Sequence, residues 1–326
     1  MAKFKVVFLD KGYFPSIQPM QQAVAPIGAE IIEVAAKTDE DIIAAARDAD
    51  AVLHILPRVQ RRAIEAFERC KLITRMGIGY DEVDVEAATE KGIMVCNVAD
   101  YCQEEVSDHA LTLLLAATRK VKIFDENIRA GRWGWRYTRP MYEIRGRTLG
   151  LVAFGKIARC LVPKAQGLGL KVIAFDPYLY DDIFAKWDVE RRLDLEDLLS
   201  ESDFVSLHAP FTRETKGMMG ESEFRKMKPT AYLINTSRGA VVNEEALLKA
   251  LHEKWIAGAA LDVMVEEPLP VTSPLMQAPN LILTPHAAWY TEKSVEVLVQ
   301  KAMDDVVRAL QGKRPKNLVN PQVLLK

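Results

Sequence analysis

Three short segments hold side chains that could work together chemically. Asn235-Thr-Ser-Arg238-Gly239 follows the apolar run Ala231–Ile234. Asp262-Val-Met-Val-Glu266-Glu267-Pro268 follows Ala257–Leu261, and Thr284-Pro285-His286-Ala-Ala-Trp289 follows Leu281–Leu283. Each apolar run reads as a buried strand. In an open parallel sheet, ligands bind outside the carboxyl ends of the strands, so the three segments are predicted to converge on one crevice. An Arg, a carboxylate and a His meeting there suit reduction of a 2-keto acid. The guanidinium grips a carboxylate and its neighbouring carbonyl with a planar fork of donors. The imidazole gives a proton to the carbonyl oxygen as hydride reaches its carbon. A glutamate beside it, 266 or 267, orients the ring and stabilises the imidazolium. Singly, each has a plainer reading. His286 is then a satisfied loop histidine and either glutamate a solvated charge; Arg238, at a strand end between Ser and Gly, is harder to explain that way.

These groups need a sheet to position them and a cofactor to supply hydride. Leu149-Gly-Leu-Val-Ala153-Phe154-Gly155-Lys156-Ile157-Ala158 sits where a strand turns into a helix. Its register reads Ala153-x-Gly155-x-x-Ala158 against the dinucleotide fingerprint G-x-G-x-x-G/A. Gly155 lets the backbone approach a pyrophosphate, and the helix N-terminus offers unpaired N–H groups. Ala153 departs from the fingerprint, because the first position normally uses Gly for the tight turn. Asp176 ends the next strand, 21 residues after Gly155, near the ~20 expected for the carboxylate on the adenosine ribose. Pro177-Tyr178 follows it rather than Arg or Lys, which favours NAD over NADP. Asp176 alone would read as a strand-end Asp satisfying a turn.

The wider pattern alternates strand-like and helical stretches. Lys5–Leu9, Glu30–Ala35, Ala51–Ile55, Leu72–Thr74 and Ile93–Asn97 form a first series of strands. Leu149–Ala153, Lys171–Phe175, Phe204–Leu207, Ala231–Ile234, Ala257–Leu261 and Leu281–Leu283 form a second. Helices are predicted from a Thr38 cap through Arg47, over 155–168, 221–227 and 243–254, as one long helix over 104–130, and over 291–311. The βαβα alternation predicts α/β architecture with parallel sheets. The segment 132–147, rich in Arg, Trp, Tyr and Gly, reads as an extended connection.

Composition narrows the function classes. The 326 residues exceed one ordinary core and suggest two domains. With 49% hydrophobic and 27% charged residues the chain is globular rather than disordered. A net charge of −2 argues against binding nucleic acid by bulk electrostatics. No apolar run approaches the ~20 residues of a membrane span. Residues 1–10 read as a strand and not a signal peptide. Cys70, Cys96, Cys102 and Cys160 show no C-x-x-C spacing, so no metal site is expected and the thiols fit a cytoplasmic protein.

Taken together, these motifs resemble the D-isomer-specific 2-hydroxyacid dehydrogenase family over nearly the whole chain. They are most similar to its C-terminal-binding-protein branch, for which His286-Ala-Ala-Trp289-Tyr290 and Asp176-Pro-Tyr178 are characteristic. The resemblance implies two doubly wound parallel-sheet domains, with a Rossmann cofactor domain over 99–291 inserted into a flavodoxin-like substrate domain of 1–98 and 292–326. It implies that Arg238 binds substrate, that Glu267 rather than Glu266 supports the acid/base, and that His286 donates the proton beside the nicotinamide. NAD would be held by Ala153, Phe154, Gly155, Lys156, Ile157 and Asp176, with Ala209 and Pro210 beside the adenine or ribose. Thr215 and Ser237 join the cofactor set, and Thr236 and Asp262 lie on its nicotinamide side. Arg75-Met-Gly77-Ile78-Gly79-Tyr80-Asp81 resembles the substrate-carboxylate loop, with Arg75 and the Ile78 and Gly79 amides facing an anion; read alone it is an ordinary strand-to-helix turn. His54, at another strand end, reads as structural. Asn97, Asp100 and Ser107 flank the interdomain cleft in the family. Trp289 and Tyr80 suggest a pocket for an apolar or thioether side chain rather than a phosphate.

The expected protein is a cytoplasmic NAD-dependent dehydrogenase of a small 2-keto or 2-hydroxy acid. A homodimer is expected through the helix from 104 and the aromatic 132–147 arm. Formate dehydrogenase is disfavoured, since that branch places Gln where Glu267 stands. No C-terminal regulatory domain is expected. The alternative is an NAD(H)-sensing, corepressor-like interaction protein with little turnover.

Overall fold

The computed structural model describes residues 3–325. By its internal contacts the chain divides into two units. One runs as far as Tyr101 and resumes at Thr291, and the other is Cys102–Tyr290.

The first unit is built on strands β1 (Phe4–Phe8), β2 (Ala29–Glu33), β3 (Ala51–His54), β4 (Leu72–Arg75) and β5 (Met94–Cys96). They pair in parallel in the order β2-β1-β3-β4-β5, the flavodoxin-like winding. Val7, Val52, Ile73 and Val95 line one core of this sheet and are fully buried. The helix Asp39–Ala46 starts at Thr38 with a reciprocal capping box. The Thr38 hydroxyl accepts the Asp41 N–H while the Asp41 carboxylate accepts the Thr38 N–H. The long helix Glu292–Leu310 packs on Gln18–Val24 of the same unit. Beyond it, buried Asn320 accepts the Val95 N–H at 2.7 Å and donates to the Ile93 carbonyl at 3.0 Å. The chain's last residues are therefore stitched to the edge of the first sheet.

The second unit carries β6 (Thr148–Val152), β7 (Lys171–Phe175), β8 (Glu190–Arg192), β9 (Phe204–Leu207), β10 (Tyr232–Asn235), β11 (Gly258–Leu261) and β12 (Leu281–Leu283). The order is β12-β11-β10-β9-β6-β7-β8, all parallel. The winding reverses between β6 and β9, the switch point beside which dinucleotides bind. Alternation along the strands fills two cores. Val152, Ile173, Val205, Leu233 and Ala259 face one side. Leu151, Ala174, Phe204, Ile234 and Ala260 face the other, against the helices Gln103–Thr118 and Lys156–Gly167. A Cβ on Gly150 would meet Ser202 Oγ at 2.2 Å and Leu198 at 2.7 Å, so this glycine serves close helix–sheet packing.

Two expectations need correction. The helix expected over 104–130 is two helices, Gln103–Thr118 and Val121–Arg129, broken at Lys120 with φ +56°. The Thr118 hydroxyl donates back to the Leu114 and Leu115 carbonyls at the break, a local alternative to continued helix. The second sheet has seven strands, not six, because Glu190–Arg192 adds an edge strand with no apolar signal.

Ala153, just past β6, has φ +67°. The departure from glycine seen in the sequence therefore carries a conformational cost, since a Cβ in the left-handed region is disfavoured by about 1–2 kcal/mol. Replacing Ala153 by Gly is expected to stabilise the protein by about 1 kcal/mol, measured as a rise in the midpoint of urea unfolding. An unchanged or lower midpoint would contradict this strain.

Candidate active site

The ends of β10, β11 and β12 bring the catalytic candidates into one network. His286 Nδ1 lies 2.6 Å from Glu267 Oε2, and the other Glu267 oxygen accepts the Met264 N–H at 2.8 Å. Glu267 is thus fixed from its own loop and presents one oxygen to the ring. Burial raises its carboxyl pKa. The His286 hydrogen bond and charge, the Met264 amide and the Arg238 charge outweigh burial and hold it below the ordinary glutamate range. Since Nδ1 is engaged, Nε2 is the ring nitrogen that could exchange a proton with a bound molecule. Glu266, the other glutamate offered by the sequence, is exposed.

Arg238 reaches this cluster because of its neighbour. A Cβ on Gly239 would lie 2.0 Å from the Met264 carbonyl carbon and 2.1 Å from its oxygen. Only glycine lets the loop after β10 press on the loop that carries Glu267. Asn235, fully buried, ties off the Arg238 turn. Its amide donates to the Arg238 carbonyl at 2.9 Å and its oxygen accepts the Ser237 N–H and hydroxyl. Arg238 Nη1 donates to the Ser237 carbonyl at 3.0 Å.

His286 itself has φ +55°, a left-handed conformation that surrounding bonds must enforce. Its N–H donates to the Asp262 carbonyl at 2.7 Å. The Asp262 side chain accepts the Ala287 N–H at 3.0 Å, the Ala288 N–H at 2.9 Å and the Thr284 hydroxyl at 2.5 Å. His109, from the helix Gln103–Thr118, places Nε2 3.0 Å from Thr284 Oγ1 and 3.5 Å from Asp262 Oδ1. Asp262 is fully buried. Burial raises its pKa, but bonds from His109, Thr284, Ala288 and Ala287 win and hold the carboxyl at about 2. The resemblance places Asp262 on the nicotinamide side of the cofactor, and its carboxylate also winds the turn that carries His286. His109 was not singled out from the sequence. The available signal was a polar side chain three residues after Val106 and four before Leu113, both buried on the same helix.

The candidate cofactor residues lie just after the ends of β6, β7, β9 and β10. Gly155 precedes the helix Lys156–Gly167, whose start has no side-chain cap. A Cβ on Gly155 would meet nothing within 4 Å, so the glycine leaves open space in front of the free N–H groups. Lys156 is exposed and Ile157 half-buried there. Asp176 is 9% exposed; it accepts the Phe154 N–H at 2.9 Å and the Tyr178 N–H at 3.0 Å. Each of its oxygens keeps acceptor capacity for a ribose diol. Arg191 donates to the Asp176 carbonyl at 3.4 Å. Buried Thr236 Oγ1 has no hydrogen-bond partner among the described residues, as expected of a group that meets a ligand. The open cradle at Gly155 and this orphan hydroxyl fit a dinucleotide. Thr215 and Ser237 spend their hydroxyl protons on Pro210 and Asn235, which leaves only their lone pairs. Ala209 is buried and Pro210 exposed.

In the first unit, Arg75 ends β4 and folds back over Gly77, where a Cβ would collide with its guanidinium. Arg75 is 8% exposed and lies 3.6 Å from Glu82. The Ile78 carbonyl accepts Asn97 Nδ2 at 2.6 Å. Among the described residues no backbone carbonyl takes the Ile78 or Gly79 N–H, so the turn offers two amides to an anion. His54 is fully buried beside Arg75, and its Nδ1–H donates to the Pro57 carbonyl at 2.9 Å. Burial first, then the Arg75 charge, pushes its pKa down to about 3, so it is neutral. Trp289 is half-buried and packs edge-on to Tyr290. Ser107 is buried and accepts Lys164 Nζ at 2.7 Å within the second unit. Among the described residues no cluster could hold a metal ion and no helix is long and apolar enough to cross a membrane.

Asp262 makes acid stability testable. Its folded pKa lies below the ordinary aspartate value near ~3.9, so its contribution is complete above that value and is lost as pH falls towards about 2. Urea titrations are expected to show wild type losing about 2 kcal/mol more than Asp262→Asn across that window. Parallel losses would refute the assignment.

Comparison with known proteins agrees with this geometry. The family profile "D-isomer specific 2-hydroxyacid dehydrogenase, NAD binding domain" matches residues 111–288. The glyoxylate reductase of Korarchaeum cryptofilum is 40% identical over 290 residues, covering 87% of this chain and 86% of its own. The crystal structure of a glyoxylate reductase from Paecilomyes thermophila matches with TM-score 0.88 at 25% identity, covering 99% of this chain and 100% of its own. D-lactate dehydrogenase from Aquifex aeolicus, solved with NAD and lactic acid, matches with TM-score 0.84 at 25% identity, covering 97% and 98%. With the phosphate turn, the strand-end cluster and this coverage agreeing, the chain belongs to the D-isomer specific 2-hydroxyacid dehydrogenase family, as an NAD-dependent oxidoreductase.

Proposed function

We propose that this protein reduces small 2-oxo acids with NADH, glyoxylate to glycolate and those with a side chain to the D-2-hydroxy acids, using His286 as proton donor. The observation that carries the reading is the 2.6 Å His286–Glu267 pair, with Arg238 held on the same loop cluster through the Gly239–Met264 contact. When bound, the nicotinamide supplies or takes up the hydride. Arg238 anchors the substrate carboxylate with its planar guanidinium and polarises the neighbouring carbonyl. His286 Nε2 gives its proton to the carbonyl oxygen as the C=O π pair moves onto that oxygen. The ring becomes neutral, and Glu267, accepting at Nδ1, holds the tautomer ready for the next proton. In the reverse direction the neutral Nε2 removes the hydroxyl proton. Trp289 bounds the side-chain end of the substrate. Names of the relatives favour glyoxylate, the keto acid with no side chain, as the first substrate to test.

NAD(H) is the proposed cofactor rather than NADP(H). The Asp176 carboxylate, fixed by the Phe154 and Tyr178 amides, suits a ribose diol and repels a 2′-phosphate. The phosphate turn Ala153 to Ile157 and the unpartnered Thr236 hydroxyl complete the proposed set, with Ala209 and Pro210 lining the adenosine end.

A homodimer is also proposed. Trp133 is 89% exposed and Trp135 61%, with Tyr137 and Tyr142 also exposed on the same connection. So many exposed aromatics suit burial against a second copy. Light scattering on the purified protein is expected to give twice the chain mass; a single chain's mass would overturn this.

The catalytic reading predicts NADH oxidation with one or more of glyoxylate, hydroxypyruvate, pyruvate and 4-methylthio-2-oxobutyrate, faster than with NADPH. His286→Ala is expected to lose roughly 100-fold or more in kcat while NADH still quenches tryptophan fluorescence. NADH binding with no turnover of any keto acid by wild type would overturn it.

A further inference from the structure

We propose that His109 is a positioning residue for the proton donor, acting through Thr284 and Asp262 on the turn that carries His286. The inference rests on the reading of His286 given above and adds a residue outside its loop. The argument is one of counting protons. Asp262 is ionised and can only accept. The Thr284 hydroxyl has one proton, and at 2.5 Å it goes to Asp262 Oδ1. Thr284 Oγ1 is therefore an acceptor toward His109, and His109 Nε2 carries the hydrogen across the 3.0 Å contact. The same N–H lies 3.5 Å from Asp262 Oδ1 of this buried carboxylate.

What His109 orders is the backbone of 284–288. Asp262 Oδ1 serves both Thr284 and the Ala287 N–H, while Oδ2 serves the Ala288 N–H. His286 sits between these anchors with φ +55°, a conformation it leaves unless the turn is wound tight. Without the His109 donor Thr284 Oγ1 loses one of its two hydrogen-bond partners and Asp262 Oδ1 loses a neighbour. The turn then loosens on the side that aims His286, whereas the Gly155 cradle, Asp176 and Thr236 stand on other loops. The expected signature is a loss confined to the chemical step, since small misplacements of a reacting group are costly.

The test compares wild type, His109→Phe and His109→Gln, with His286→Ala as reference. The Gln amide can donate where the imidazole did; Phe keeps the packing and removes the donor. His109→Phe is expected to lose roughly 10-fold in kcat with KM for the keto acid and Kd for NADH within about twofold, and His109→Gln to recover most of the loss. The imidazole Cε1–H resonances of the five histidines provide a readout independent of turnover, with the His286 signal identified by its disappearance in His286→Ala. It is expected to shift or double in His109→Phe and to return in His109→Gln, with His54, His208 and His252 unmoved. An unmoved His286 signal, a kcat within twofold of wild type, or an equal loss in both variants would each overturn the proposal. If wild type turns over no keto acid, the functional reading fails, and the resonances alone still decide whether His109 orders the His286 turn.

Discussion

A buried carboxylate that must stay charged organises this site. Asp262 directly follows β11 with no exposure to solvent, and an ionised group so placed is tolerated only when its lone pairs are filled. It fills them from the neighbouring strand end: the Thr284 hydroxyl and the Ala287 and Ala288 amides. His286 is thereby folded into a left-handed turn. The need to satisfy one buried charge becomes the geometry of an imidazole three residues beyond the end of a different strand. Glu267 then meets that imidazole from its own loop, already fixed by the Met264 amide.

Close backbone approach is the second constraint, and two glycines show its two forms. Gly239 is filled against Met264 by the protein itself; any side chain there separates Arg238 from the Glu267 loop. Gly155 faces open space, so its lack of a side chain serves something that enters from outside. Residue type is the same and the physical demand is opposite, internal packing in one case and ligand access in the other. Ala153 adds a third variation. It adopts a glycine-like φ despite its Cβ, held by its N–H to the Phe175 carbonyl at 2.8 Å.

Much of the fold was legible because the signals were local and redundant. Apolar runs between turn signals located eleven of the twelve strands to within a residue or two, since buried parallel strands read as continuous apolar segments. The strand that was missed, Glu190–Arg192, lies at the sheet edge, where pairing is by backbone and the side chains stay polar. The break at Lys120 was hidden because both flanking helices have good helical composition, and a single positive φ leaves no periodicity mark. The thirteen residues from Asn235 to Gly239 and from Thr284 to Trp289, with Asp262 and Glu267, were all identifiable as strand-end groups, because the alternation that marks a strand also marks where its carboxyl end exposes side chains.

The sequence by itself determined the two parallel α/β units, the phosphate turn with its Asp176 partner, and the types of group available for proton transfer. Each depends on neighbours within a few residues or on a periodic pattern. Only the tertiary structure decided that Asp262 is a buried anchor, that Gly239 must be glycine and that His109 joins the network. Those outcomes rest on contacts between segments as far apart as His109 and Thr284. Distances and burial across such gaps follow from how the strands pair, and a linear pattern does not carry them.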